Sequence, residues 1–319
     1  MMKLLCQRLH QNSHFRLAVR HVALLVVMVL AHLPLASHAA PVLLLASRTG
    51  GAYDEVVESI KNEVARSAEL RVQYLGANAA NWKSSEPAAL IVTIGVDAAN
   101  AALQGAETST PILAVLLPRI AFETLSSGKK ENRKLSAIYL DTPPSRQLDV
   151  IRLLLPQARL VGTVLGQVSW RDKEGLKAAA RDRGLTLQAE FAQRDSELYP
   201  VLKSVLDDAD VFLAVPDPAV INAATAQNVL ITAFRSQVPV IGYTASYVKA
   251  GALASVYSTP KQIGQEAGQV IKIQQRTNAL PAPKYPRYFS VGVNASVSRS
   301  MGLPEADEQA LEQRLSKGE

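Results

Sequence analysis

The chain has 319 residues, with 34 Lys and Arg against 28 Asp and Glu. Four of the basic residues, the single cysteine (Cys6) and all five histidines fall in the first 40 positions, which leaves 30 basic and 28 acidic residues from position 41 onward. That remainder can form no disulfide, no Cys- or His-ligated metal site, no thiol nucleophile and no Ser-His-Asp triad, and it lacks the dense basic face that nucleic acid requires.

The chain opens with Lys3, Arg8, Arg16 and Arg20 and no acid, followed by apolar runs at Val22–Leu30 and Leu33–Ala36 and then Ser37-His38-Ala39-Ala40-Pro41. A charged start, a short apolar centre and small residues predict a secretory signal peptide over residues 1–39, cleaved after Ala39. The apolar centre is shorter than the ~20 residues that span a bilayer. A cysteine-free mature chain suits an oxidising compartment, and the periplasm is the expected location.

At ~150 residues per domain, the remainder predicts two domains. Short aliphatic runs alternate with stretches of helical period. Strands are predicted at Val42–Leu45, Arg71–Tyr74, Leu90–Ile94, Ile112–Leu116, Ser136–Leu140, Leu160–Leu165, Thr186–Glu190, Val211–Val215, Val238–Tyr243, Leu253–Tyr257 and Tyr288–Val293. Helices are predicted at Tyr53–Ala68, Ala98–Leu103, Ser145–Leu155, Lys173–Arg183, Ser196–Leu206, Pro218–Arg235 and Lys261–Gln275. Continuous aliphatic strands have both faces covered, so the fold class is α/β with parallel sheets. The polar stretch Ser126–Lys134 divides the chain into similar halves of βαβ units, and a second polar, proline-rich stretch, Thr277–Pro286, precedes the last strand. The chain is therefore expected to cross between two Rossmann-like lobes more than once.

Ligands of open α/β sheets bind beyond the carboxyl ends of the strands, and there the chain carries small, hydroxylic and acidic residues. Ser47, Thr49, Gly50, Gly51 and Tyr53 follow the first strand. Gly95 and Asp97 follow the third, Arg119 the fourth and Asp141 the fifth. In the second half come Ser169, Trp170, Asp217, Tyr243, Ser246 and Tyr247. Asp97, Ser145, Ser196 and Asp217 also read as helix N-caps. Arg48 and Arg119 could hold a carboxylate in bidentate fashion. Tyr53, Tyr243, Tyr247 and Trp170 could stack on a planar ligand, or be buried against their own lobes. Gly50-Gly51 lacks the Gly-Lys-Ser/Thr ending of a nucleotide loop. No nucleophile elbow or Ser-x-x-Lys occurs, so no catalytic residue is assigned and the chain is expected not to be an enzyme. A carboxylate pair assembled in space keeps a hydrolase open as a third reading.

Several stretches carry a resemblance. Ile91–Ala99, Pro111–Val115, the run from Asp141 through Gln147-Leu148 and Leu155–Ala158 to Gly162, Val215-Pro216-Asp217, Val238–Gly242, Val248–Ala254 and Ile263-Gly264 resemble, in order and spacing, the exported substrate-binding components of ABC transporters. These have the type I periplasmic binding fold, and their better-known members take up tryptophan and other aromatic amino acids. The resemblance implies an N-terminal lobe of residues 40–136 plus 257–284 and a C-terminal lobe of residues 137–256 plus 285–319. Crossover strands near Leu135–Asp141, Tyr257–Pro260 and Tyr285–Tyr288 would join them and close on a small ligand such as an amino acid or a related small polar molecule. Ser47, Thr49, Tyr53, Gly95, Asp97 and Arg119 from the first half would then meet Asp141, Ser169, Asp217, Tyr243 and Ser246 from the second. In this reading Asp217→Ala weakens binding without unfolding its lobe. Arg119 stands where the family commonly has an acid, which could shift preference towards an acidic or phosphorylated ligand. The implied partners are a small molecule and an ABC permease or another inner-membrane protein. A monomer with no cofactor, no metal and no nucleic acid is expected. A ligand-sensing partner of a membrane receptor or sensor kinase, with the same fold, is the alternative function.

Overall fold

The computed structural model describes residues 40–65, 67–128 and 133–317, so the expected signal peptide lies outside the described residues. Among the described residues, eleven strands form two sheets. The first sheet has β1 (Val42–Ala46), β2 (Leu70–Tyr74), β3 (Leu90–Ile94), β4 (Ile112–Leu117) and β5 (Leu135–Tyr139), in the order β2-β1-β3-β4-β5. All of its pairs are parallel. The second has β6 (Leu160–Leu165), β7 (Thr186–Phe191), β8 (Val211–Leu213), β9 (Val240–Gly242), β10 (Ala254–Tyr257) and β11 (Ser290–Val293), in the order β11-β10-β9-β8-β6-β7. The aliphatic runs become strands because both faces are covered: every residue of β3 is buried, as is every residue of β8 and β9.

One strand departs from the expected parallel pattern. β11 pairs with β10 antiparallel, with Tyr257 opposite Ser290. The chain leaves the second sheet at the end of β10 and returns at that same end, so the returning strand must run the other way.

What leaves and returns is a helix of the first lobe. The helices in chain order are α1 (Gly51–Val64), α2 (Val96–Gly105), α3 (Arg119–Ser127), α4 (Pro144–Leu154), α5 (Lys173–Arg181), α6 (Asp195–Leu206), α7 (Ala226–Arg235), α8 (Ala245–Ala250), α9 (Pro260–Thr277), α10 (Ala295–Ser300) and α11 (Glu308–Ser316). α9 starts cleanly because Thr259 and Gln262 form a capping box with proline in the first turn. Its Ile263, Ala267, Val270 and Ile271 join Val56, Val57, Ile60 and Val64 of α1 in one core. The two helices approach closely at Gly264, where an added Cβ would lie 2.6 Å from the Ser59 Cβ. Lys272 of α9 pairs with Glu63 of α1 at 2.8 Å.

Three short segments therefore join the lobes: residues 140–143, residues 258–259 and the stretch from 278 to 289. They are tied to one another. Tyr139 N donates to Lys284 O and Lys284 N to Ala137 O, both at 3.0 Å, so the third crossing runs beside β5. Thr142 Oγ1 donates to Val256 O at 3.4 Å, and Ser258 Oγ donates to Tyr288 O at 2.7 Å. The carboxylate of Glu266, 2% exposed on α9, pairs with Lys284 at 2.6 Å and accepts from Arg287 N at 2.8 Å.

The polar stretch Ser126–Lys134 does not divide the two halves: β5 follows it and pairs with β4, so the first sheet continues to Tyr139. The implied lobe limits fall inside β5 at residue 136 and on the last residue of β10 at 257. The helix expected over Pro218–Arg235 begins only at Ala226. Before it the chain makes a turn in which Ile221 N donates to Asp217 O and Thr225 Oγ1 to Val220 O. α3, which starts at Arg119, was not anticipated. Its single fully buried side chain is Phe122, so it carries too narrow an apolar stripe to read from spacing.

Candidate functional site

The carboxyl ends of β1, β3, β4 and β5 line one edge of the first lobe, and those of β6, β8 and β9 line one edge of the second. The first edge is organised by Ser47. This buried hydroxyl donates to Ile94 O at 3.1 Å and accepts from Ala98 N at 3.0 Å. Ala98 lies in the first turn of α2, so the side-chain cap of that helix comes from a residue 51 positions earlier. The cap expected from Asp97 is not made: Gly95 occupies the N-cap position and Asp97 is an exposed residue of the first turn. Ser145 and Ser196 are displaced in the same way. Each is the second residue of its helix, behind Pro143 and Arg194 at the cap positions. The helices start slightly earlier than their apolar stripes do.

Gly95 has φ +95° and ψ 168°. A Cβ there would lie 2.6 Å from Ser47 Oγ and 2.8 Å from Tyr53 Cε1, so the Tyr53 ring packs directly over this turn. The Arg48 guanidinium sits 5.0 Å from the centre of the same ring, and its Nη2 donates to Tyr53 OH at 3.1 Å. Thr49 and Asp97 are exposed, and Val96 is 40% exposed. The result is a wall with a half-buried aromatic ring, two glycine-led helix starts at Gly51 and Val96, and an arginine at its rim.

The second edge is organised by Asp217, which is 1% exposed. Its Oδ2 accepts from Val168 N at 3.1 Å, Ser169 N at 2.8 Å and Ser169 Oγ at 2.9 Å. Its Oδ1 accepts from Ala219 N at 2.9 Å. By sequence alone Asp217 is a candidate ligand contact or helix cap. The structure makes it an internal tie between the loop after β6 and the turn after β8, with Ser169 buried beside it. Trp170, on the tied loop, packs edge-on against Phe191 with centroids 5.3 Å apart, and the Lys173 ammonium lies 3.8 Å from the Trp170 ring centre. Tyr243 is half-buried against Tyr247 at 4.9 Å, and burial raises both phenol pKa values. Thr244 caps α8 by accepting from Tyr247 N at 3.2 Å, which leaves Ser246 exposed in the first turn of that helix.

Near the crossings the two edges meet. Arg119 opens α3 just beyond β4 and forms ion pairs with Glu123 on its own helix and with Asp172 of the second lobe. Its backbone N donates to Asp141 Oδ2. Burial works against the Arg119 charge, but Asp172, Tyr285 and Glu123 together raise its pKa above the ordinary guanidinium value. The sequence offered Arg119 as an anchor for an acidic ligand, yet its charge is already compensated within the chain. Asp172 escaped the sequence reading because it stands two residues past Trp170, in a turn where one acid carries no pattern. Tyr139 and Tyr285, edge-on at 5.3 Å in the same region, stand in the sequence only at strand and crossover positions.

The Asp141 carboxyl is pushed up, by burial first and by the Asp172 charge, against the downward pull of the Arg119 amide and guanidinium. A carboxyl whose pKa is raised on folding stabilises fully below its unfolded value, near pH 4, and that contribution is lost as pH rises through the folded value. Asp141→Asn still accepts from Arg119 N, so it should gain stability relative to the wild type at pH 7 and lose that advantage below about pH 4. Urea titrations at the two pH values check this, and an equal difference at both would refute it.

A family model described as ABC transporter substrate binding protein matches residues 49–275. A search of curated proteins finds no match. Among solved structures, the ligand-free, open form of a substrate binding protein with adhesive properties from Clostridium difficile is similar at a TM-score of 0.70. It is 16% identical, over 85% of this chain and 97% of that one. An ABC domain from Streptococcus pneumonia in complex with L-Trp gives a TM-score of 0.60 at 16% identity, over 86% and 98% of the two chains. A conserved domain protein from Vibrio cholerae gives 0.61 at 18% identity, over the same shares. These likenesses identify the fold as that of type I periplasmic binding proteins. With the family model covering most of its length, the chain belongs to the ABC transporter substrate binding protein family.

Proposed function

We propose that this protein captures a small polar molecule between its lobes, closes on it about the three crossings and delivers it to an ABC permease. The observation that supports this most directly is the meeting of the two strand-end edges at Arg119 and Asp172, beside crossings that are tied to one another. Paired lobes joined by short crossings that lie side by side are an architecture in which hinge closure occurs. In this reading Thr49, Tyr53, Gly95 and Asp97 form the ligand-facing surface of the first lobe, and Tyr243 and Ser246 that of the second. Ser47, Ser169 and Asp217 hold those surfaces in place, while Arg119 and Asp141 sit where the edges meet. An amino acid suits such a cleft: helix starts and hydroxyls for a carboxylate, an acid for an ammonium group and tyrosines for an apolar side chain. The protein acts by binding, without turnover. Residues 1–39 serve as a cleaved leader that places it in the periplasm; among the described residues no helix is long and apolar enough to cross a membrane.

A thermal-shift panel of amino acids, nucleobases, small acids and sugar phosphates on residues 40–319 tests the proposal. A ligand at 100 times its Kd stabilises by about 2.7 kcal/mol, which raises the melting temperature by several degrees in a chain of this size. One chemical class should produce that shift. No shift from any class, together with no small molecule in the denatured protein by mass spectrometry, would refute it.

A further inference from the structure

We infer that Arg119 and Asp172 form a latch that ties the two cleft edges together before any ligand arrives. The pair spans the lobes: Arg119 follows β4 of the first sheet, and Asp172 ends the 3-10 turn Ser169–Asp172 that follows β6 of the second. Both ends are built to hold position. On the first lobe, Leu116 has φ +57°, a left-handed conformation that leucine rarely adopts, and the β4–β5 register shifts between Val115 and Leu117. Such a bulge re-aims the end of a strand. Here it comes three residues before Arg119, whose backbone is then fixed by Asp141 of the first crossing and whose side chain is steadied by Glu123 one turn along. On the second lobe, the amides of Val168 and Ser169 are held by buried Asp217, and Trp170 is packed against Phe191. Asp172 is thereby presented on a fixed turn.

A contact that exists in one lobe arrangement and is broken in another shifts the balance between them by its own strength. The Arg119 side chain is 22% exposed and that of Asp172 is 47% exposed, so salt screens the pair and moves the balance towards separated edges. The latch makes the resting position of the lobes sensitive to ionic strength, and it accounts for a cationic side chain at the cleft that is not left free for a ligand. It rests on the reading that the lobes move about their crossings, but its test uses no ligand.

The chain from residue 41 onward has no cysteine, so spin labels at Gln104→Cys in α2 and Lys203→Cys in α6 would be unique reporters of lobe separation. Both positions are exposed. In the ligand-free protein, Asp172→Asn should move the inter-label distance distribution by several ångström or broaden it to longer distances. Arg119→Gln, which keeps its backbone bond to Asp141, should do the same, and the double variant should go no further than either single one. Raising salt should shift the wild type and leave Asp172→Asn unmoved. Unchanged distributions in both variants, or shifts that simply add in the double variant, would overturn the latch. Far-ultraviolet circular dichroism on each variant separates opening from unfolding. Either result leaves the ligand screen as the independent judge of solute binding.

Discussion

Asp217→Ala is expected to lower the unfolding free energy by about 4 kcal/mol, the sum of several lost buried hydrogen bonds after partial relaxation. Three backbone amides and the Ser169 hydroxyl all donate to this one carboxylate, which is 1% exposed. An alanine leaves those donors with no acceptor, and the site is too enclosed for bulk water to replace it cheaply. At roughly 2–4 °C per kcal/mol, the melting temperature should fall by about 10 °C. Asp217→Asn retains an oxygen of the right shape for the 168–169 amides and should lose less than half as much. The sequence reading, with Asp217 as a ligand contact, requires the opposite: weaker binding in a lobe that stays as stable as before. Thermal and urea melts of the unliganded variants separate the two, and a change within about 0.5 kcal/mol, as for an ordinary surface substitution, would restore the ligand-contact reading.

Gly95→Ala should cost about 3 kcal/mol, from a backbone that only glycine adopts easily and a methyl group with no room. The new Cβ would stand 2.6 Å from Ser47 Oγ, and that hydroxyl cannot swing aside without giving up Ile94 O and the Ala98 amide. It would also stand 2.8 Å from the Tyr53 ring. Trimming the ring relieves one of the two collisions. Tyr53→Ala should therefore recover part of the loss in the Gly95→Ala background while giving no gain alone, a coupling that a double-mutant cycle in urea measures. A Gly95→Ala protein that melts with the wild type would mean that this turn is not held as described. If ligand affinity is then measured, Gly95→Ala should reduce it more than its stability loss implies, because the wall itself is displaced.

The inner strands were legible because aliphatic runs covered on both faces carry their own signature, and all eleven predicted strands are present within two residues at each end, the more exposed edge strands β2 and β7 included. Seven helices were placed by their helical period, the one expected from Pro218 beginning only at Ala226. Other features could not be read because the deciding contact lies far away in sequence. Ser47 caps α2 from another strand, and no spacing rule connects positions 47 and 98. Asp217 resembles a cap or a ligand anchor until the loop at 168–169 folds over it. Arg119 looks like a free cation until Asp172 approaches from the other lobe. The direction of β11 was hidden for a related reason, since it depends on where the chain re-enters the sheet and not on what β11 contains. Composition found the polar stretch at 126–134, whereas the true crossing at 140–143 is only four residues long and no more polar than an ordinary turn.

The second crossing sets a timetable. α9 covers the apolar side of α1, yet it begins at Pro260, more than a hundred residues after β5 completes the sheet of the first lobe. Until Ile263, Ala267, Val270 and Ile271 arrive, Val56, Ile60 and Val64 lack the part of their cover that α9 supplies. A chain emerging from its N-terminus therefore makes the five second-lobe helices α4 to α8 before its first lobe can close. The lobe that starts first is completed late, by a contact of high sequence separation, which slows folding. A fragment ending before residue 260 carries a full five-stranded sheet with a bare greasy flank, and a chain delayed at that stage is the species most exposed to aggregation.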